Sequence, residues 1–331
     1  ILIIGSKGMA GHVMQRYFST IDAFEVYAVA RNISENDTSF NIDVSDTERL
    51  QTLIKIHEFD VVVNCIGILN KDAEDHPSKA VWFNSYFPHF LEEITKTTQT
   101  KVIHISTDCV FSGKRGNYTE ADVKDGIGFY AQSKALGEID NAKDVTIRTS
   151  IIGPEINPNG IGLLHWFLNQ PLEAKLNGYS NAFWTGLTTL ELAKVVHEVI
   201  HQNISGIIQV VPSEKINKYE LLQLFNSIKT VLIGFLLGSL IAIPVGILMG
   251  ASTICKQIFY PIVQLLKPVS PLAWFPIGLV VFKDTGLATI FIVFITSLWS
   301  TLINTSFGVA SIPQDHKNVA KAFGFSKMRY L

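Results

Sequence analysis

Two long stretches without a charged side chain constrain this chain more than any other feature. No Asp, Glu, Lys or Arg occurs from Thr230 to Cys255, and none occurs from Thr285 to Gln314. Each run exceeds the roughly 20 apolar residues needed to cross the hydrocarbon core of a bilayer. The change of character falls at Asn226–Ser227. Residues 1–226 carry 19 Lys+Arg against 27 Asp+Glu, a net of −8, whereas residues 227–331 carry 8 against 2, a net of +6. The formal total of −2 therefore describes neither part. Two domains are expected, a water-soluble one over 1–226 and a membrane-embedded one over 227–331.

In the first part, short β-branched runs alternate with segments of helical spacing. The runs are Ile1–Ile4, Val26–Val29, Val61–Ile66, Val102–Ile105, Val145–Ile147 and Ile207–Val211. Met9–Ser19, Asp46–Ile56, Ser78–Thr95, Tyr130–Asp140 and Thr188–His201 carry the helical pattern. Continuous apolar strands suit a sheet covered on both faces, so the expected fold is an α/β doubly wound parallel sheet, Rossmann-like. An all-α transmembrane segment of about three helices follows it. Cys65, Cys109 and Cys255 lack ligand-like spacing, which favours reduced thiols in a cytosolic domain over a disulfide or zinc framework. The chain opens on Ile1 with no Met and no basic n-region, so it reads as a fragment whose first domain carries no export signal. No basic run or aromatic-interleaved patch points to nucleic acid.

The first strand runs into Gly5-Ser-Lys7-Gly8-Met9-Ala-Gly11. Glycines at this spacing, between an apolar strand and a helix, let the backbone turn tightly and approach a pyrophosphate. The second strand ends at Ala30-Arg31-Asn32, where an acid would bind a ribose 2′-hydroxyl. Arg31, helped by Lys7, can instead pair with a 2′-phosphate, which favours NADP(H) with NAD(H) as the second option. A solvated loop arginine fits the same pattern. Asp43 and Val44, after the next short strand, suit the adenine edge, and Asp43 equally suits the N-cap of the following helix. Ser106-Thr107-Asp108 ends a later strand, and Tyr130-Ala-Gln-Ser-Lys134 opens a helix. The i,i+4 spacing places phenol and ammonium on one helix face, where the cation is expected to lower the Tyr130 pKa towards that of a working acid. Thr107 can hold a carbonyl oxygen beside it.

These residues resemble the extended short-chain dehydrogenase/reductase family, and within it the dTDP-4-dehydrorhamnose reductase-like sugar-nucleotide reductases. The similarity runs from Ile1 to about Phe225, on GSKGMAG, STDCVFSG at 106–113, YAQSK at 130–134 and IRTSIIG at 147–153. The resemblance implies reduction of a 4-keto sugar nucleotide by a nicotinamide cofactor. Tyr130 would give a proton to the keto oxygen, Lys134 would bind the nicotinamide ribose, and Thr107 would position the oxygen. Asn64 and Gly67 of NCIG match the cofactor side. Asn84, Ser106, Tyr179, Trp184 and Thr188 match the substrate side. Cys109 stands where STDYVF is usual. Relatives continue past the helix matching Lys218–Phe225 to complete a substrate lobe, whereas here an apolar helix takes over.

His197-Glu198-Val-Ile-His201 matches the H-E-x-x-H zinc motif. The stripe Leu192, Val195, Val196 and Val199 is expected to turn both histidines to solvent, and no third ligand stands nearby, so no metal site is expected.

In the second part, Thr230–Gly250 reads as a first span whose Gly234, Gly238, Gly246 and Gly250 allow close helix approach. Ile258–Phe282, broken by Pro261, Pro268, Pro271 and Pro276, reads as an interfacial turn and a shorter span. Leu287–Phe307 is a third. His316, Lys317, Lys321, Lys327 and Arg329 follow it and read as cytoplasmic. The segments 260–276 and 312–324 resemble permease subunits of ABC importers, nearest to the nitrate, sulfonate and taurine branch. That resemblance implies insertion in a bacterial inner membrane and docking of an ABC ATPase subunit through the 312–331 loop, although Asn318 stands where many relatives have Glu. It covers only the middle of a permease, and the reductase-like domain is cytoplasmic in its relatives. The leading expectation is a reductase domain joined to a partial permease by fusion of two gene fragments. The alternative is a permease subunit for nitrate or a related anion whose soluble half is vestigial.

Overall fold

The computed structural model describes residues 1–171 and 176–323. They form two compact units. The first is built from Ile1–Gln170 and Gly178–Lys218, and the second runs from Tyr219 onward.

Seven parallel strands make the central sheet of the first unit. From one edge to the other they are Ser39–Asn41, Tyr27–Ala30, Leu2–Ile4, Val61–Asn64, Lys101–Ile105, Val145–Arg148 and Gly206–Gln209. All neighbouring pairs are parallel. The strand order reverses beside Leu2–Ile4, and that reversal opens a crevice at the carboxyl ends of the strands. The sheet is buried on both sides, as its unbroken apolar runs require. Ile3 points into a core with Met14, Phe18, Leu192 and Val196. Leu2 and Ile4 point into the opposite core, with Leu50, Phe87 and Leu91.

The helices begin where side chains can take up free backbone amides. Asp46 accepts from the Arg49 N–H at 3.1 Å and caps Thr47–His57. Thr188 accepts from the Glu191 N–H at 3.1 Å and caps Thr189–His201. The expected helix over 78–95 is instead three pieces: Pro77–Ala80, a π-helical turn at Val81–Tyr86, and Phe87–Thr95. His197 departs from expectation as well. It is half-buried, with Nδ1 3.1 Å from the Tyr17 hydroxyl and its ring against the edges of Phe18 and Phe24. A face that looks polar in isolation is here covered by the Met9–Phe18 helix. Glu198 and His201 remain exposed, and the described residues contain no group of three His, Cys, Asp or Glu able to hold a metal ion.

The second unit is helical. Lys218–Ala251 is one continuous helix of 34 residues that contains Pro244. Thr285–Ala310 is a second long helix, and both are long and apolar enough to cross a membrane. Between them, Thr253–Leu266 and Pro271–Phe282 meet at a bend of 95°. The count of candidate spans among the described residues is two, or three if the bent pair is one span. A short helix, Gln314–Ala322, follows. Lys327 and Arg329 of the basic cluster, and Gly324 of the permease-like segment, lie outside the described residues.

Small residues recur every fourth position along the first long helix: Gly234, Gly238, Ala242, Gly246 and Gly250. They let it lie directly on the backbone of Thr285–Ala310. A Cβ at Gly234, Gly238, Gly246 or Gly250 would come within 2.7–2.9 Å of the carbonyl oxygens of Ile290, Phe294, Leu302 and Ser306 respectively. In lipid, where apolar contact with a neighbouring helix only replaces apolar contact with acyl chains, this close packing is the source of helix association. Gly246→Leu should lower the thermal unfolding midpoint of the helical signal of the full chain in detergent micelles. Gly308→Leu should leave it unchanged, because a Cβ there meets nothing within 4 Å. Equal effects of the two would contradict this packing.

Candidate functional site

The turn after the first strand is built around glycine. Gly5 takes φ +85°, where a side chain is strained, and a Cβ there would also press on Ile66 Cγ1 at 2.9 Å. Its carbonyl oxygen accepts from the Gly8 N–H at 2.8 Å. That same oxygen would lie 2.1 Å from a Cβ on Gly11, so helix and turn touch only because residue 11 has no side chain. Gly8 is the N-cap of the Met9–Phe18 helix, without a side chain to occupy the free amides. The amino end of that helix is left to an external acceptor of negative charge.

A cavity of about 770 Å³ opens beside this turn. That is within the range of about 300–1,000 Å³ typical of small-molecule sites. Its wall follows the carboxyl ends of four strands. Gly5, Lys7 and Gly8 come from the first, Val29–Asn32 from the second, Ile42–Val44 from the third, and Cys65–Ile68 from the fourth. At one end the Lys7 ammonium donates to the Asn32 carbonyl, and Arg31 lies 3.4 Å from Asp43. The pair is exposed, so a competing anion can displace it at little cost. Asp43 is not a helix N-cap: its carboxylate accepts from the backbone and hydroxyl of Ser45, which together with Arg31 hold it below the usual carboxylate range. The wall also carries residues that no sequence motif marks, including Asp72 and Lys79, which pair at 2.6 Å, and Phe83. They reach the cavity from helices separate from the glycine turn, so no local spacing signals them.

Thr107, Tyr130 and Lys134 gather next to this cavity. Thr107 is buried, caps the short helical turn at Asp108–Val110, donates to the Asp108 carboxylate at 3.2 Å, and faces the Tyr130 phenol. Tyr130 lies in the first turn of Phe129–Leu136, its backbone N–H held by Glu74 at 3.3 Å. Lys134 is buried and donates to the Ile105 carbonyl at 2.7 Å. A Cβ on Gly67, at the cavity wall, would be 3.7 Å from its ammonium.

The electrostatics correct one expectation. Burial pushes the Tyr130 phenol upward, opposed by the Thr107 hydroxyl and reinforced by Cys109 and Asp108. Lys134 is not among the groups that move it. The ammonium is turned to the Ile105 carbonyl, and desolvation outweighs attraction between residues that share a helix face. Lys134 itself is lowered by burial to about 8, with Glu138 and Cys65 opposing. Burial also pushes the Cys65 thiol up to about 12.

The other candidates on the cofactor and substrate sides stand outside the cavity wall. Asn64 is fully buried, with Oδ1 accepting from the Ile66 N–H at 3.0 Å and Nδ2 3.1 Å from His104 Nδ1. Asn84, in the π turn, accepts from the Ile68 N–H at 2.8 Å and donates to Ser133 Oγ at 3.0 Å. Ser106 donates to Glu138 at 2.9 Å. Trp184 donates to Ser150 Oγ at 2.8 Å, Thr188 is the helix cap described above, and Tyr179 is exposed. None of these six lines the cavity.

Comparison with known proteins divides the chain in the same manner. A profile of the family described as RmlD substrate binding domain matches residues 1–225. The chain belongs to this family. Among solved structures, it resembles a hypothetical dTDP-4-dehydrorhamnose reductase from Sulfolobus tokodaii, with 27% identity and a TM-score of 0.59 over 68% of this chain and 81% of that one. A dTDP-4-dehydrorhamnose reductase from Bacillus anthracis, solved in complex with NADP, shares the fold at 19% identity and a TM-score of 0.59, over 68% and 80%. A second profile, binding-protein-dependent transport system inner membrane component, matches residues 242–331. There the chain is 44% identical over 108 residues to the nitrate import permease protein NrtB of Leptolyngbya laminosa. It is 44% identical over 109 residues to the bicarbonate transport system permease protein CmpB of Synechococcus elongatus. Each match covers 33% of this chain and 39% of the relative, so the chain spans about two fifths of these curated relatives. It is a two-part chimera, a reductase-like domain followed by an ABC permease-like one.

Gly11→Ala should destabilise the first unit by about 1–3 kcal/mol, the usual effect of forcing an extra carbon into a packed site. Urea unfolding followed by the tryptophan signal would show it. Unchanged stability would mean that the contact with the Gly5 carbonyl relaxes freely.

Proposed function

We propose that residues 1–226 form an NAD(P)H-dependent reductase of 4-keto sugar nucleotides, joined to a membrane segment of the ABC importer type over 227–331. The observation that carries the reading is the Thr107–Tyr130–Lys134 cluster beside a glycine-walled cavity at the strand ends. The residues present fit a dinucleotide. Gly5, Gly8, Met9 and Gly11 leave a helix amino end open to a pyrophosphate, Asp43 and Val44 border the adenine side, and Gly67 admits a ribose next to Lys134. When bound, the nicotinamide supplies a hydride to the keto carbon.

The chain's own residues handle the proton. Tyr130 gives the phenolic proton to the keto oxygen, which Thr107 helps to orient. Burial keeps that proton on the phenol at neutral pH until the oxygen becomes basic. A hydrogen bond from the Thr107 hydroxyl then stabilises the phenolate, and the Lys134 ammonium supplies positive charge on the cofactor side. Asn84 holds the Ile68 backbone and Ser133 in place around them. Tyr179, Trp184 and Thr188 belong to the substrate side of this reading.

For the membrane segment, the names of the relatives support a part in import of nitrate or a related anion. The Gln314–Ala322 helix, inside the 312–331 loop, is the candidate dock for an ATPase subunit on the cytoplasmic side of a bacterial inner membrane.

Cofactor preference tests the cavity. The full chain in detergent micelles should bind NADPH more tightly than NADH by fluorescence titration, and Arg31→Ala should remove most of the difference. Equal affinities in the parent would refute the role of Arg31 and Lys7.

Tyr130→Phe tests the chemistry. It should keep NADPH affinity within about twofold and reduce turnover of a 4-keto sugar nucleotide by about 10²–10⁴-fold, the usual worth of one positioned acid. Full turnover in the variant would mean that another group delivers the proton. A parent that binds neither cofactor would defeat the reductase reading.

A further inference from the structure

Three consecutive residues at the end of the Lys101–Ile105 strand each face one residue of the segment 130–138. The Ile105 carbonyl accepts from Lys134 at 2.7 Å, Ser106 Oγ donates to Glu138 at 2.9 Å, and Thr107 faces the Tyr130 phenol. The three partners stand four residues apart, the last just beyond Gly137 at the helix end. Glu138 is fixed in turn from its far side. Arg148 Nε and Nη2 each donate to its carboxylate at 2.8 Å, and Lys124 lies 3.1 Å away. Glu138 and Arg148 are both buried, at 7% and 2% exposure. A buried ion pair contributes little net stability relative to apolar packing, whereas its two-pronged geometry fixes orientation closely.

We propose that Glu138 is a positioning residue of the reductase site: anchored by Arg148, it fixes through Ser106 the strand end on which the Thr107 hydroxyl and the Lys134 ammonium depend. The inference rests on the reductase reading of Thr107, Tyr130 and Lys134 and adds the part that holds them in register. Charge reinforces the geometry. Burial draws Lys134 down to about 8, and Glu138 is the first of the groups that oppose it. The other titratable groups facing Lys134 are Cys65, after the Val61–Asn64 strand, and His104, on the Lys101–Ile105 strand, whose burial holds its ring neutral. Arg148 and Lys124 face Glu138.

The test is the pH at which Lys134 loses its proton, read without cofactor. The full chain in micelles is pulse-labelled with a small acylating reagent across a pH series, and the Lys134 peptide is quantified by mass spectrometry. Glu138→Gln keeps the side chain's shape and removes its charge. A charged lysine favoured by a carboxylate loses its proton earlier once that carboxylate is neutral, so the midpoint should fall by about one pH unit. Should Glu138→Gln leave Arg148 uncompensated and prevent folding, Glu138→Gln with Arg148→Gln removes both charges, and a smaller fall in the same direction is expected, because loss of the Arg148 cation partly offsets loss of the nearer carboxylate. An unchanged midpoint in a folded variant, checked by circular dichroism, overturns the proposal. NADPH titration of the same samples separates the two ideas. A parent that binds no NADPH counts against the reductase reading, while the Lys134 midpoint still judges Glu138.

Discussion

Every backbone amide and carbonyl removed from water must find a partner, and the two parts of this chain meet that demand in opposite ways. In the first unit the partners are distant in sequence. Strand Leu2–Ile4 bonds to Tyr27–Ala30 on one side and Val61–Asn64 on the other. Both its faces can then be apolar, and its carboxyl end is left projecting at the point where strand order reverses. In the second unit each helix satisfies itself, so the chain can dispense with charge over 26 residues, Thr230 to Cys255. Contact between elements then depends on how closely backbones approach. The glycines at 5 and 11 serve a ligand crevice, whereas those at 234, 238, 246 and 250 serve helix contact. The absence of a side chain has separate uses in the two settings.

Desolvation governs the candidate active site. Tyr130 is pushed up by burial, Lys134 is drawn down by it, and the ring of His104 is held neutral by it. Each shift favours the uncharged form, as expected where strand ends and a helix exclude water. Charge survives there only with dedicated partners, as at Glu138 and Arg148. Burial thus holds the proton on the Tyr130 phenol and loosens the protons of Lys134 and His104.

Much of this was legible from the chain alone. The parallel sheet followed from short β-branched runs separated by helical spacing, and the crevice from glycines placed between the first strand and helix. Thr107, Tyr130 and Lys134 could be named because a strand end and one helix face carry them. What escaped was tertiary. His197 lies on a helix face that looks wet, and only the Met9–Phe18 helix shows that it is covered. The Tyr130 shift reversed because burial is invisible in i,i+4 spacing. Asp72 and Lys79 reach the cavity from helices that no motif connects to the glycine turn. Thr188 resembles a substrate contact by position, while its hydroxyl caps the helix that begins one residue later.

The junction is a helix rather than a linker, and that makes topology decisive. Lys218–Ala251 would run about 51 Å at 1.5 Å per residue, while its uncharged stretch from Thr230 covers about 33 Å, close to a hydrocarbon core of about 30 Å. The residues before Thr230 therefore belong to the aqueous side from which this helix enters. Which side that is depends on the bent pair. Thr253–Leu266 and Pro271–Phe282, with 14 and 12 residues, reach only about 21 and 18 Å each, and the 95° bend prevents them from adding end to end. If they still crossed as one broken span, three crossings would separate residue 227 from the Gln314–Ala322 segment. A cytoplasmic dock would then place the reductase-like domain outside, away from its proposed cofactor. If they enter and return on one face, two crossings leave both on the same side. The proposal of a working reductase with a cytoplasmic ATPase dock thus requires the re-entrant arrangement, and the shortness of both pieces is the physical reason to favour it.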